Sequence, residues 1–260
     1  MILLKTKIEI EALREGGAIL ADIMHELADM VEPGITTDEL DALAERRMRA
    51  EGDGPSFKDY QSDPGDPPFS SALCTCINQE VVHAPATPGR KLKSGDILKI
   101  DMGMWLAGMC TDMAATIIVG EVDTETKKLI QVTKEALAIG IRKSVAGGWV
   151  SDVGRAIDKH VQRHGFSTVK DLVGHGVGRE VHEDPRIPNY FDPSLSPVKF
   201  IPGMTFAIEP MINAGVDAVR LMSDGWTIIT ADGRRSAHFE ETLAITEDGT
   251  LRVTPLPDNV

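Results

Sequence analysis

The chain has 260 residues, 42% apolar and 26% charged, the mix of an ordinary soluble globular protein with ample material for a core. A formal net charge of -13 and a pI near 5.0 exclude a protein built to neutralise a nucleic-acid backbone, which needs clustered Lys and Arg. Three cysteines, Cys74, Cys76 and Cys110, exclude a disulfide framework and fit a reducing compartment. The opening MILLKTKIEIEALREGG holds a four-residue apolar run, far short of a signal-peptide core or a membrane span, so a cytoplasmic protein with no membrane partner is expected.

Residues 8–31 place Ile10, Leu13, Leu20, Met24, Leu27 and Val31 at helical spacing, and Pro33 and Gly34 break the pattern. A second helix is expected from about Thr37, with the Thr37 hydroxyl as N-cap, through Leu40, Leu43 and Met48. Shifted by 114 positions the junction recurs, matching Val31 with Val145, Gly34 with Gly148, Thr37 with Ser151 and Asp38 with Asp152. Both copies precede a β-rich, acid-bearing segment, which favours an internal duplication over shared helix-junction chemistry. The expectation is one catalytic domain over residues 1–260, made of α-β halves at about 8–122 and 123–250 related by a pseudo-twofold axis.

Residues 54–71, rich in Pro, Gly, Asp and Ser, read as an irregular surface loop and a candidate active-site rim. Strand-like ALCTCINQEVVHAPAT follows and carries His83. Residues 96–120 then read as two strands folding back around Leu106, Ala107 and Gly108. A Leu106-Ala107 turn puts Asp101 directly opposite Asp112, whereas an Ala107-Gly108 turn makes them diagonal neighbours. In either register they share a face, roughly 5 to 8 Å apart at Cβ. Like charges that close need something positive between them, which points to metal.

Three further candidate ligands lie downstream. His175 sits between Gly174 and Gly176, Glu209 ends the apolar strand MTFAIE before Pro210, and Glu240 lies in SAHFEETLAIT. In that last strand Phe239, Glu241 and Leu243 alternate with His238, Glu240 and Thr242, and periodicity does not decide which set faces inward. Four carboxylates and one imidazole form an oxygen-rich set suited to Mn, Fe, Co or Zn. A pair of such ions would neutralise the acids and activate a water. Cys74-Thr75-Cys76 lacks zinc-site spacing, and His182-Glu183 is not a zincin motif.

The segments IDMGMWLAGMCTDMAAT, GHGVGREVHE, FAIEPMINAG and SAHFEETLAIT resemble those of type I methionine aminopeptidases, in the pita-bread (creatinase/aminopeptidase) metallopeptidase family. The resemblance spans essentially the whole chain. It implies an α+β fold, with a curved antiparallel sheet covered by helices. It also implies two divalent ions on Asp101, Asp112, His175, Glu209 and Glu240, with Asp112 and Glu240 contacting both. Glu209 would take a proton from the attacking water and return it to the leaving amine. His83 and His182 would bind substrate and stabilise the tetrahedral intermediate. Phe69, Cys74, Val181 and Trp226 would bind the methionine side chain, and backbone carbonyls of Asn78, Glu80 and Ser236 can hold a monovalent cation. Partners implied are nascent polypeptide N-termini with a small second residue, met at the ribosome, for a monomeric enzyme.

The chain departs from the family pattern at His83-Ala84-Pro85-Ala86, at Val181 and at His238. Two other readings share the fold: an X-Pro peptidase like prolidase or aminopeptidase P, and a non-catalytic binding module. The first carries a sizeable N-terminal domain for which this chain has no room, and the second loses ligands that are all present here. The short spacing from Glu209 to Glu240 leaves no room for the helical insert of type II enzymes.

Overall fold

The structure, a computed structural model, describes every residue except Ser62, Asp63, Pro64 and Asp66. Helix α1 (Lys7–Met30) starts at a capping box formed by Thr6 and Glu9, and buries Leu13, Leu20, Met24 and Leu27. Helix α2 (Thr37–Glu51) is capped by Thr36 rather than by the expected Thr37, with the Thr36 N–H donating to Glu39. Thr37 is turned inward, where its hydroxyl donates to Ala86 O at 2.6 Å. A short β1 (Gly54–Pro55) follows, then β2 (Leu73–Ile77) and β3 (Glu80–Val82). The residues between β1 and β2 that are described form no helix or strand, as expected, while 62–64 and 66 of that loop lie outside the described residues.

Strands β4 (Ile97–Leu106) and β5 (Met109–Ile118) form the expected hairpin. Its turn is Ala107-Gly108, both at positive φ (51° and 73°), the combination that matches the twist of paired strands. Asp112 therefore faces Gly103, Asp101 faces Ala114, and the two acids are diagonal neighbours. Helices α3 (Thr124–Lys143) and α4 (Val150–Arg163) follow, then β6 (Ser167–Thr168), β7 (Gly174–Gly176), β8 (Glu183–Ile187), β9 (Thr205–Ile208) and β10 (Met211–Asn213). The chain ends with β11 (Val219–Leu221), β12 (Ile228–Thr230), β13 (Ser236–His238), β14 (Glu240–Thr246) and β15 (Gly249–Arg252). No helix among the described residues is long and apolar enough to cross a membrane.

Nine strands form one antiparallel sheet in the order β1-β4-β5-β14-β9-β7-β8, with β2 on β4 and β15 on β14. Leu98, Ile100, Met102 and Met104 on one face of β4 join Phe206, Ile208, Leu243 and the helices in a single core. Alternation sends Lys99 and Asp101 to the other face. Two three-stranded sheets complete the fold, β13-β10-β6 and β11-β12-β3.

Matching hydrogen bonds relate the two halves. Gly34 N donates to Leu92 O and Thr37 N to Arg90 O, while Gly147 N donates to Phe200 O and Val150 N to Val198 O. The helix pairs are thus offset by 113 positions, not 114, and Gly147, at positive φ like Gly34, is the counterpart that sequence identity had placed at Gly148. After the helices, Gly95 N to Val119 O matches Gly203 N to Ile245 O, and Val119 N to Asp96 O matches Ile245 N to Met204 O. By that register Asp101 corresponds to Glu209, and Asp112 corresponds to His238.

The join between halves, where β5 pairs with β14, shows the same relation. Thr116 Oγ1 donates to His238 O at 2.7 Å and accepts from His238 N at 2.9 Å. Reciprocally, Thr242 Oγ1 donates to Asp112 O at 2.8 Å and accepts from Asp112 N at 3.1 Å.

Candidate metal centre

The five candidate ligands reach one cavity of ≈ 190 Å³ from separate strands: Asp101 on β4, Asp112 on β5, His175 on β7, Glu209 just beyond β9, and Glu240 opening β14. Glycines place His175: a Cβ at Gly174 would stand 2.4 Å from Ala207 O, and one at Gly176 would stand 2.3 Å from Asp184 O. The His175 ring rests with Nδ1 2.9 Å from Gly176 O. Nδ1 donating there leaves Nε2 as the acceptor. That Nε2 lies 3.5 Å from Glu209 Oε1 and 4.0 Å from Asp112 Oδ2, and Asp112, His175 and Glu240 have ligand atoms within 4.8 Å of one another.

Burial shapes the electrostatics. Desolvation pushes the Asp101 carboxyl up to about 7 and drives Asp112, Glu209 and Glu240 well above the usual carboxylate range, reinforced by their mutual repulsion. Beside desolvation, the charge of Asp101 pushes Asp112 further up. Desolvation lowers His175 to about 3 and His83 to about 4, leaving both imidazoles neutral at pH 7.

Asp101 Oδ1, Asp112 Oδ1 and Glu240 Oε1 are buried without a hydrogen-bond partner. Such orphaned oxygens are costly unless charge or donors meet them. Divalent cations fit this donor set: hard oxygens plus one imidazole, clustered and fixed by their strands. A second group of potential donors, Glu135, His160 and His164, includes no residue that lines the cavity.

The cavity's remaining wall is aromatic. Phe69 is buried, and its ring meets Phe57 edge-on at 6.5 Å and Trp226 at 5.2 Å. Trp226 Nε1 donates to Pro67 O at 3.0 Å, tying its loop to the 54–71 loop. Cys74 stands directly opposite Asp101 across the β2–β4 pair and lines the cavity. His83 follows β3 at φ 61°, a left-handed conformation uncommon outside glycine, and faces the cavity. His182 sits at the exposed rim, its ring 4.4 Å from that of His175, with Nδ1 2.9 Å from Tyr60 Oη.

Four placements differ from expectation or were not foreseen. Val181 does not line the cavity: one position before His182, it points the other way and packs with Cys110 and Val177. Phe57 and Tyr60 line the wall unforeseen, because nothing in a Pro- and Asp-rich loop fixes which aromatic turns inward. His238, noted only as a departure from the family pattern, joins the acid cluster, with Nε2 3.9 Å from both Glu209 Oε2 and Glu240 Oε2 and no hydrogen-bond partner at either ring nitrogen. The signal was its alternation with Glu240. Finally, the place expected for a monovalent cation is taken by the Lys99 ammonium, which donates to Asn78 O and Ser236 O.

Known proteins show the same architecture. The profile of "Metallopeptidase family M24" matches residues 11–247. The chain is 44% identical over 250 residues to "Methionine aminopeptidase 1" of Bacillus subtilis (strain 168), covering 96% of this chain and 97% of that one. It is equally identical, with the same coverage, to the methionine aminopeptidase of Clostridium perfringens. The crystal structure of methionine aminopeptidase from Thermotoga maritima matches with a TM-score of 0.91 at 39% identity, over 98% of this chain and 99% of that one. A prolidase from Pyrococcus furiosus, 22% identical, shares the pita-bread fold at a TM-score of 0.75, with 66% of its chain covered.

Proposed function

This chain belongs to metallopeptidase family M24 and removes N-terminal methionine, and from that premise we propose how its own residues do so. Asp101, Asp112, His175, Glu209 and Glu240 would hold two divalent ions, Mn, Fe, Co or Zn. The observation that carries this is the convergence of four buried carboxyls on one cavity, three of them with an orphaned oxygen. Bound there, such ions supply Lewis acidity toward the scissile carbonyl and lower the pKa of water.

Glu209 accepts the proton of the attacking water and passes it to the leaving amine, a role suited to a carboxyl on the cavity wall. His182 at the rim and His83 deeper in bind the substrate backbone, and His182 donates to the oxyanion as it forms. Tyr60, hydrogen-bonded to His182 Nδ1, orients that ring. Phe69, Trp226 and Cys74 receive the unbranched thioether. Substrates are nascent polypeptide N-termini whose second residue is small. The enzyme works as one catalytic domain, a cytoplasmic monomer that meets these chains at the ribosome.

The deciding experiment reconstitutes the metal-free protein with Mn, Fe, Co or Zn and measures release of Met from a Met-Ala-Ser peptide. Turnover restored by divalent ions supports the reading. Broad cleavage of X-Pro peptides instead would move it to a prolidase-like activity, and metal uptake without any turnover would leave a binding module.

A further inference from the structure

Lys99 lies in the middle of β4 on the face that carries Asp101, and is 1% exposed. Lysine is almost never buried this deeply without partners. Here the partners are main-chain oxygens: Nζ donates to Asn78 O at 2.7 Å and to Ser236 O at 3.0 Å. Carbonyls from two separate segments converging on one positive charge are also what replaces the hydration shell of an alkali ion. Both partners are carbonyl oxygens, which only accept, so Nζ supplies the proton of each bond.

Both segments are held firmly. Asn78 sits at φ 52°, its side chain donating to Asp96 Oδ1 at 2.8 Å and accepting from Ile97 N at 3.1 Å, which fixes the direction of its carbonyl. Ser236 N donates to that same carbonyl at 3.0 Å. Ser236 opens β13, the strand that ends in His238 and leads directly into Glu240. We propose that Lys99 is a built-in cation locking the Asn78 turn to β13, a positioning residue for Glu240 and His238 that makes the centre indifferent to sodium and potassium.

The test uses the metal-loaded protein and reads thermal stability and bound divalent ion beside peptidase activity. These two readouts do not depend on which peptide is cleaved, so failure of the proposal is distinguishable from failure of the functional reading. In the wild type, Tm, metal content and kcat should be the same in choline, sodium and potassium chloride at equal ionic strength; a selective rise with either alkali ion overturns the proposal. Lys99→Ser opens space beside the two carbonyls. It should lose about tenfold in kcat in choline chloride, with KM little changed, as for outer-shell positioning groups, and recover most of it in potassium or sodium chloride. Lys99→Met, similar in length but uncharged and filling the space, should show the loss without the recovery. Equal impairment of Lys99→Ser in all three salts, or full kcat in Lys99→Met, overturns the proposal. Should Lys99→Ser fail to fold, the wild-type salt series decides alone.

Discussion

The two halves place chemistry at matching positions but build the strands beneath it differently. In the first half, β4 and β5 run unbroken for 10 residues each and close in a two-residue turn. In the second half each counterpart is interrupted at its functional residue. The β9 strand stops before Glu209 and Pro210, and Phe239 separates β13 from β14. Proline cannot donate to a ladder, so beyond Pro210 the chain leaves the large sheet and pairs with β13 and β6. The excursion between β10 and β13 reaches β3 through β12 and sets Trp226 against Phe69. The first half thus supplies charge on an unbroken hairpin together with Phe57, Tyr60 and Phe69 of the wall, and the second supplies charge on interrupted strands together with Trp226 and His182.

That contrast can be broken first at Glu209 and Asp101, which occupy corresponding positions. Glu209→Gln should retain bound divalent ion yet lose roughly 10³-fold in kcat, the size expected for a general base. Asp101→Asn should act chiefly on metal content, measured by elemental analysis. Equal kcat loss with equal metal loss in both variants would erase the distinction between the halves.

Removing the metal should expose the cost of joining the halves' acids. The folded-state pKa of these carboxyls is raised, that of Asp101 to about 7. The contribution of Asp101 is therefore full below an unfolded carboxyl's pKa of about 4 and is lost as pH rises through about 7. In chelator, Tm should fall between those values, and saturating Zn²⁺ or Mn²⁺ should abolish the fall. A flat profile in chelator would show that burial does not raise these carboxyls.

Smaller effects sharpen the comparison. His238→Gln removes an imidazole whose nitrogens find no protein partner and should weaken divalent affinity about tenfold by calorimetry. Thr116→Val and Thr242→Val remove the reciprocal hydroxyls and should each cost about 1–3 kcal/mol in denaturant unfolding, since each leaves buried backbone groups unpaired. Trp226→Ala should raise KM several-fold with kcat little changed, a loss of about 1 kcal/mol of side-chain contact.

The strands that carry the acids were legible in the sequence because β alternation and the placement of Asp, Glu and His within apolar runs are local signals. The hairpin turn was undecided between two registers until the positive φ of Ala107 and Gly108 fixed it. Identity between Gly34 and Gly148 misled by one position, since the residue that must adopt positive φ is Gly147. Lys99 passed unnoticed: alternation puts it beside Asp101, but only the fold brings Asn78 and Ser236 to its ammonium. Val181 failed as a pocket residue because its neighbour His182 is the one turned to the cavity. Phe57 and Tyr60 depend on how the chain between β1 and β2 turns, which no spacing rule foretells.

The reciprocal threonines at the seam carry one further consequence. Each hydroxyl both gives to and takes from the main chain of a residue in the opposite half, Asp112 in one case and His238 in the other. The halves are riveted at the two backbones that present functional side chains, so neither can slide without its partner. At Asp112, a cation of different radius would then be met by rotation of the side chain rather than by a shift of its backbone, and the span across the seam would act as a fixed gauge.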